Sequence, residues 1–115
     1  MQPRTVSTSD ASNGTKNSAL LRMDTWANAQ TVLQVNVTGT ATYTVQTSMD
    51  DPNDPNNPVA EASMTWLSAS DSNVVGKTAS AGGILSATPT FVRLSQTAGN
   101  GSCTLTVAQF GAAPY

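Results

Sequence analysis

Leu33-Gln34-Val35-Asn36-Val37-Thr38-Gly39-Thr40-Ala41-Thr42-Tyr43-Thr44-Val45-Gln46-Thr47-Ser48-Met49 alternates apolar and polar residues on either side of a single glycine. Leu33, Val35 and Val37 share one side of an extended chain, with Gln34, Asn36 and Thr38 on the other. After Gly39 the alternation resumes, with Ala41, Tyr43, Val45, Thr47 and Met49 on one side. A period of two is that of a half-buried β-strand. Helix is disfavoured, because β-branched side chains lose rotamer freedom against the preceding helical turn. Two such runs joined by Thr38-Gly39-Thr40 predict an antiparallel hairpin.

The C-terminal part repeats the design. Thr90 to Gln96 reads as a strand, Ala98-Gly99-Asn100-Gly101 as a turn, and Ser102 to Phe110 as the returning strand. Asn-Gly supplies the positive φ angles of tight hairpin turns. Cys103, Leu105 and Val107 then face one core together with Val92 and Leu94. Between the two expected hairpins, Asp50 to Pro58 (DDPNDPNNP) places three prolines at intervals of three. Proline gives no donor to a strand ladder, so this is an exposed loop. Ser63 to Leu67 returns to strand, with Trp66 as a core anchor. Ser68 to Gly83 is polar and ends in Gly82-Gly83, after which Ile84 and Leu85 start a short strand. Leu20, Leu21 and Met23 mark a first edge segment, followed by a loop in which Trp26 anchors the chain.

About six to eight strands separated by turn signals predict an all-β fold, an antiparallel β-sandwich or jelly-roll-like barrel. The reading gives one sandwich domain over residues 19–115, preceded by a flexible polar N-terminal arm over 1–18, in which Asn13-Gly14 marks a turn. The 115 residues suffice for one core without metals or disulfides.

Composition narrows the function. Charged residues are 10% of the chain, the net charge is −2, and the five basic residues form no cluster. A nucleic-acid partner needs a concentrated basic face to neutralise phosphates. Histidine is absent and Cys103 is the single cysteine. No nucleophile–base pair and no four-ligand zinc site can therefore be assembled. The thiol is expected to be buried and inert. Asp50, Asp51 and Asp54 crowd the proline-rich loop. Clustered carboxylates could attract calcium, but the loop lacks the ligand order and glycine of an EF-hand, and solvated carboxylates are expected. No cofactor and no catalytic residue is assigned. Met1 to Asp10 contains no apolar leader, and no run approaches the roughly 18 apolar residues of a membrane span. Synthesis in a host cytoplasm without a signal peptide is expected. Trp26 and Tyr115 fall outside clean strand patterns and, with Asp50, Asp51 and Asp54, are the candidate partner or ligand contacts.

The order of these motifs carries a resemblance. A Trp26 segment leads into residues 33–46, followed by Asp50-Asp51-Pro52, a Trp66 segment, and Phe91 to Gln109 (FVRLSQTAGNGSCTLTVAQ). Over residues 20–110 this resembles the small β-sandwich virion proteins of tailed bacteriophages, found as head decoration, cement or neck-associated subunits. The resemblance implies a non-enzymatic virion protein, above all a capsid decoration or cement protein. It would act as a homo-oligomer, with a trimer favoured, docked on major capsid or neck and tail proteins. It transfers no site residue, because such proteins work through surfaces. The alternative is a carbohydrate-binding or host-adhesion module, for which Trp26 would be the leading residue.

Overall fold

The alternation read from the sequence becomes two antiparallel sheets packed face to face. The computed structural model describes residues 4–23, 29–52, 54–56, 58–85 and 89–111. Ten strands are described: β1 (Arg4–Ser9), β2 (Lys16–Asn17), β3 (Leu21–Arg22), β4 (Ala29–Thr38), β5 (Thr42–Ser48), β6 (Leu67–Ser68), β7 (Val75–Lys77), β8 (Ala81–Leu85), β9 (Phe91–Ala98) and β10 (Ser102–Gly111). One sheet runs β1-β10-β4-β8. The other runs β2-β9-β5-β6, with β3 also on β9 and β7 also on β5. Among the described residues no helix is long and apolar enough to cross a membrane.

The expected all-β sandwich is present, and its strand order is that of a jelly roll. Count β2 with β3 as one interrupted strand and β6 with β7 as another. The eight strands then pair first with last throughout: β1 with β10, β2/β3 with β9, β4 with β8, and β5 with β6/β7. The chain is thus one long antiparallel ribbon folded over itself. The fold is closed by β10 against β4 in one layer and β9 against β5 in the other.

This topology corrects both expected hairpins. β4 and β5 do not pair with each other, and neither do β9 and β10; each couple is divided between the two sheets. The links 39–41 and 99–101 are arches across the sandwich, whose layers lie roughly 10 Å apart. A primed hairpin turn would put Asn100 at positive φ. Among the described residues Asp10 is the non-glycine residue with positive φ, and near Asn100 it is Gly99 that adopts it, at +94°.

Residues 4–17 also depart from expectation. β1 pairs with β10 at six successive positions, and β2 pairs with β9, so these residues belong to the sheets and not to an arm outside them. The strand escaped notice because its inward side carries Val6 and a threonine, Thr8. Thr8 is buried, and its hydroxyl donates to Gln96 Oε1 at 2.9 Å.

The core lies between the layers. Leu33, Val35, Cys103, Leu105 and Val107 come from one sheet, and Tyr43, Val45, Val92 and Leu94 from the other, all essentially without solvent exposure. These include every inward position read from the β9 and β10 patterns. Tyr43 satisfies its hydroxyl by donating to the Ala79 carbonyl at 2.8 Å.

A short 3-10 turn, Ser72–Val74, closes one side and buries Val74 fully. Asp71 begins it: one carboxylate oxygen accepts from the Asn73 N–H at 3.0 Å, the other from the Ile84 N–H of β8 at 2.9 Å. These backbone donors hold the Asp71 carboxyl below the ordinary aspartate value. The folded state therefore favours the ionised form. Its contribution is complete above the unfolded-state pKa and is lost as pH falls through the lower folded-state value. Melting temperature should drop as pH is taken below about 4, and Asp71→Asn should flatten that slope. An unchanged slope in the variant would mean that other carboxylates carry the acid sensitivity.

Candidate functional site

The proline-rich loop does not bring its carboxylates to a common point. Asp50 turns back to accept from the Thr65 N–H at 2.5 Å, which ties the two ends of the loop together. Asp51 faces Arg22 of β3 in a two-pronged ion pair, at 3.0 and 3.2 Å. The carboxylate raises the pKa of the Arg22 guanidinium, which also lies over the Phe91 ring. Asp54 accepts from the Asn56 N–H at 2.8 Å, an Asx turn inside the loop. Among the described residues no three groups of metal-ligating type converge. The three aspartates therefore shape the loop and fasten it to the outside of the second sheet.

Trp66 lies on that same outer face and is not a core anchor. The Arg93 guanidinium stacks 4.2 Å from its ring centroid, and Arg93 Nε donates to Gln46 Oε1 at 2.8 Å. Gln46 and Arg93 are direct cross-strand neighbours in β5 and β9. The alternation Met64, Trp66 suggested burial of both, yet Met64 is buried while Trp66 is half-buried against a charged group. An indole can trade a dry core for the flat face of a guanidinium, which makes its inward direction hard to read from pattern alone.

Cys103 is fully buried on the inward side of β10. Burial pushes its thiol pKa up, opposed in part by a hydrogen bond with Thr8. The group stays a protonated thiol, the opposite of an activated nucleophile.

The feature that stands out against the Thr- and Ser-rich surface is apolar. Met49 and Leu67 are 72% and 64% exposed. They border a notch of about 380 Å³ lined also by Thr47, Ser68, Leu85 and Pro89. The fold assembles it simply: Leu67 pairs with Thr47 across β5 and β6, Met49 directly follows β5, and Leu85 and Pro89 flank the passage from β8 to β9. Met49 continues the inward parity of β5, but it lies one residue past the last pair of the sheet and so reaches solvent instead of the core. Leu67 was the missed signal, an apolar residue out of phase with Met64 and Trp66. Of the contacts expected from sequence, Trp26 and Tyr115 lie outside the described residues. Asp50 sits beside the notch, in a smaller hollow with Met49, Thr65, Leu67 and Pro89.

No protein-family model, curated protein or solved structure matches the chain.

Proposed function

We propose that this is a non-enzymatic structural protein of a bacteriophage particle, a capsid decoration or cement subunit that docks through the Met49–Leu67 notch. The observation carrying the reading is the pair of large apolar side chains most open to solvent, at one notch of a hydroxyl-rich sandwich; the third exposed one among the described residues, Ile84, lies on β8. Such clusters mark contact surfaces, because leaving them wet is unfavourable. The jelly-roll strand order supports the reading by analogy, since this architecture serves in viral capsid and lectin domains. The low charge favours a partner surface that is itself weakly charged, and the sequence resemblance points to capsid, neck or tail proteins. Residence on the virion follows.

Two measurements test it. Mass spectrometry of virions purified from a lysate of the source phage should find the chain in fixed ratio to the major capsid protein. Particles lacking it should rebind the purified protein, and Met49→Ser with Leu67→Ser should weaken rebinding. Each buried side chain contributes about 1.5–3 kcal/mol, so the double variant should lose roughly a hundredfold in affinity or more. Absence from particles would overturn the proposal. Binding to a glycan array by the same protein would then install the adhesion alternative.

A further inference from the structure

Four sheet edges border the sandwich, and three are blunted. β2 and β3 are two-residue pieces separated by Ser18, which bonds Leu94 in both directions, through its own N–H and its hydroxyl oxygen. β6 and β7 are two and three residues long, with a register shift where β7 meets β5. The outer side of β8 is capped by the Asp71 carboxylate on the Ile84 N–H. Short strands, bulges and caps are how sheet proteins prevent pairing with a neighbour.

Among the described residues, β1 has none of these devices. It runs for six residues in unbroken register with β10, and Arg4, Thr5, Ser7 and Ser9 are exposed. As an edge strand with one paired side, it leaves alternate N–H and C=O groups pointing outward. Its sequence is also complementary to itself. In an antiparallel pair of two copies centred on Ser7, Ser7 faces Ser7, while Val6 faces Thr8 and Thr5 faces Ser9, twice over by symmetry. Residues opposite each other share a face, and this register keeps every inward residue inward. It also leaves Arg4, whose guanidinium donates to the Arg22 carbonyl, outside the pairing, whereas the neighbouring register centred on Val6 sets Arg4 against Thr8.

We propose that β1 pairs with β1 of a second copy about a two-fold axis, joining the two four-stranded sheets into one eight-stranded sheet. The edge closes at two chains, where the phage resemblance favoured three. The inference does not rest on the assembly role proposed above, because it concerns the isolated protein.

Sedimentation velocity over a rising concentration series tests it. The parent chain should approach the mass of two copies. Ser7→Lys points outward in the monomer and sets two like charges face to face in the pair. It should raise the dissociation constant about tenfold or more while leaving the melting temperature of the dilute protein unchanged. The mass of one chain throughout, a trimer, or a dimer indifferent to Ser7→Lys would each overturn the proposal.

Discussion

Gly101→Ala is expected to cost the domain about 4 kcal/mol or more, enough to leave much of the chain unfolded at room temperature. A Cβ at Gly101 would stand 2.3 Å from the Thr38 carbonyl oxygen, 2.7 Å from the Thr40 nitrogen and 2.8 Å from the Thr40 oxygen. All three atoms are backbone of the neighbouring arch, so no side-chain rotation relieves the clash. Nor can the arches separate freely, because the Gly101 N–H donates to that same Thr40 oxygen at 2.8 Å. Gly99→Ala should be at least as damaging, since its Cβ would meet the Thr40 oxygen at 2.2 Å and its φ of +94° already excludes side chains. Gly82→Ala is the control. Its Cβ would find only the Leu33 oxygen at an ordinary 3.5 Å, so a change within about 0.5 kcal/mol is expected. Urea unfolding of the three variants decides the matter. Equal stability of Gly101→Ala and Gly82→Ala would mean that the arches do not touch as described.

The same glycines show what the sequence could and could not reveal. Alternation in residues 33–37 and 103–107 specified which side chains turn inward, and those positions are buried, Val37 in part. A period of two assigns a face, however, and not a neighbour: β4 and β5 carry the same pattern whether they pair or sit in opposite layers. Asn100-Gly101 looked like a hairpin turn because the dipeptide suits one. Its glycine is needed instead for a close approach between two arches, a contact separated by some sixty residues of sequence and invisible to local reading. At the notch the limit was different. The inward parity of Met49 was legible, but where the sheet ended beneath it was not. The aspartates of the 50–58 loop were read correctly as loop residues, while the partners of Asp50 and Asp51 lie on Thr65 and Arg22, beyond any local window.

The arches also need a polar residue in the core, and Gln96→Leu is expected to destabilise the fold by about 2–4 kcal/mol although leucine is of similar size and more apolar. Gln96 is fully buried. Its Oε1 accepts from the Thr8 hydroxyl of β1 at 2.9 Å, and its Nε2 donates to the Gly99 and Gly101 carbonyls at 3.1 and 3.0 Å. Those carbonyls also receive the Ala11 and Asp10 N–H groups from the turn after β1. One carboxamide thus joins β1, the turn before β10 and the strand that carries it, and its bond to Thr8 is shielded from water. Leucine would leave the Thr8 hydroxyl without its acceptor and each glycine carbonyl with one donor fewer. Thr8→Val tests the coupling, because once Gln96 is gone the second change should cost about 1 kcal/mol less than it does alone. Gln96→Glu separates hydrogen bonding from volume. An ionised carboxylate can only accept, and it would face two carbonyl oxygens. Burial and those oxygens raise its folded-state pKa, so its stability should be highest in acid and fall as pH rises, opposite to the slope set by Asp71. If Gln96→Leu melts with the parent and Gln96→Glu shows no such reversal, the two strands and the turn are held by apolar packing alone.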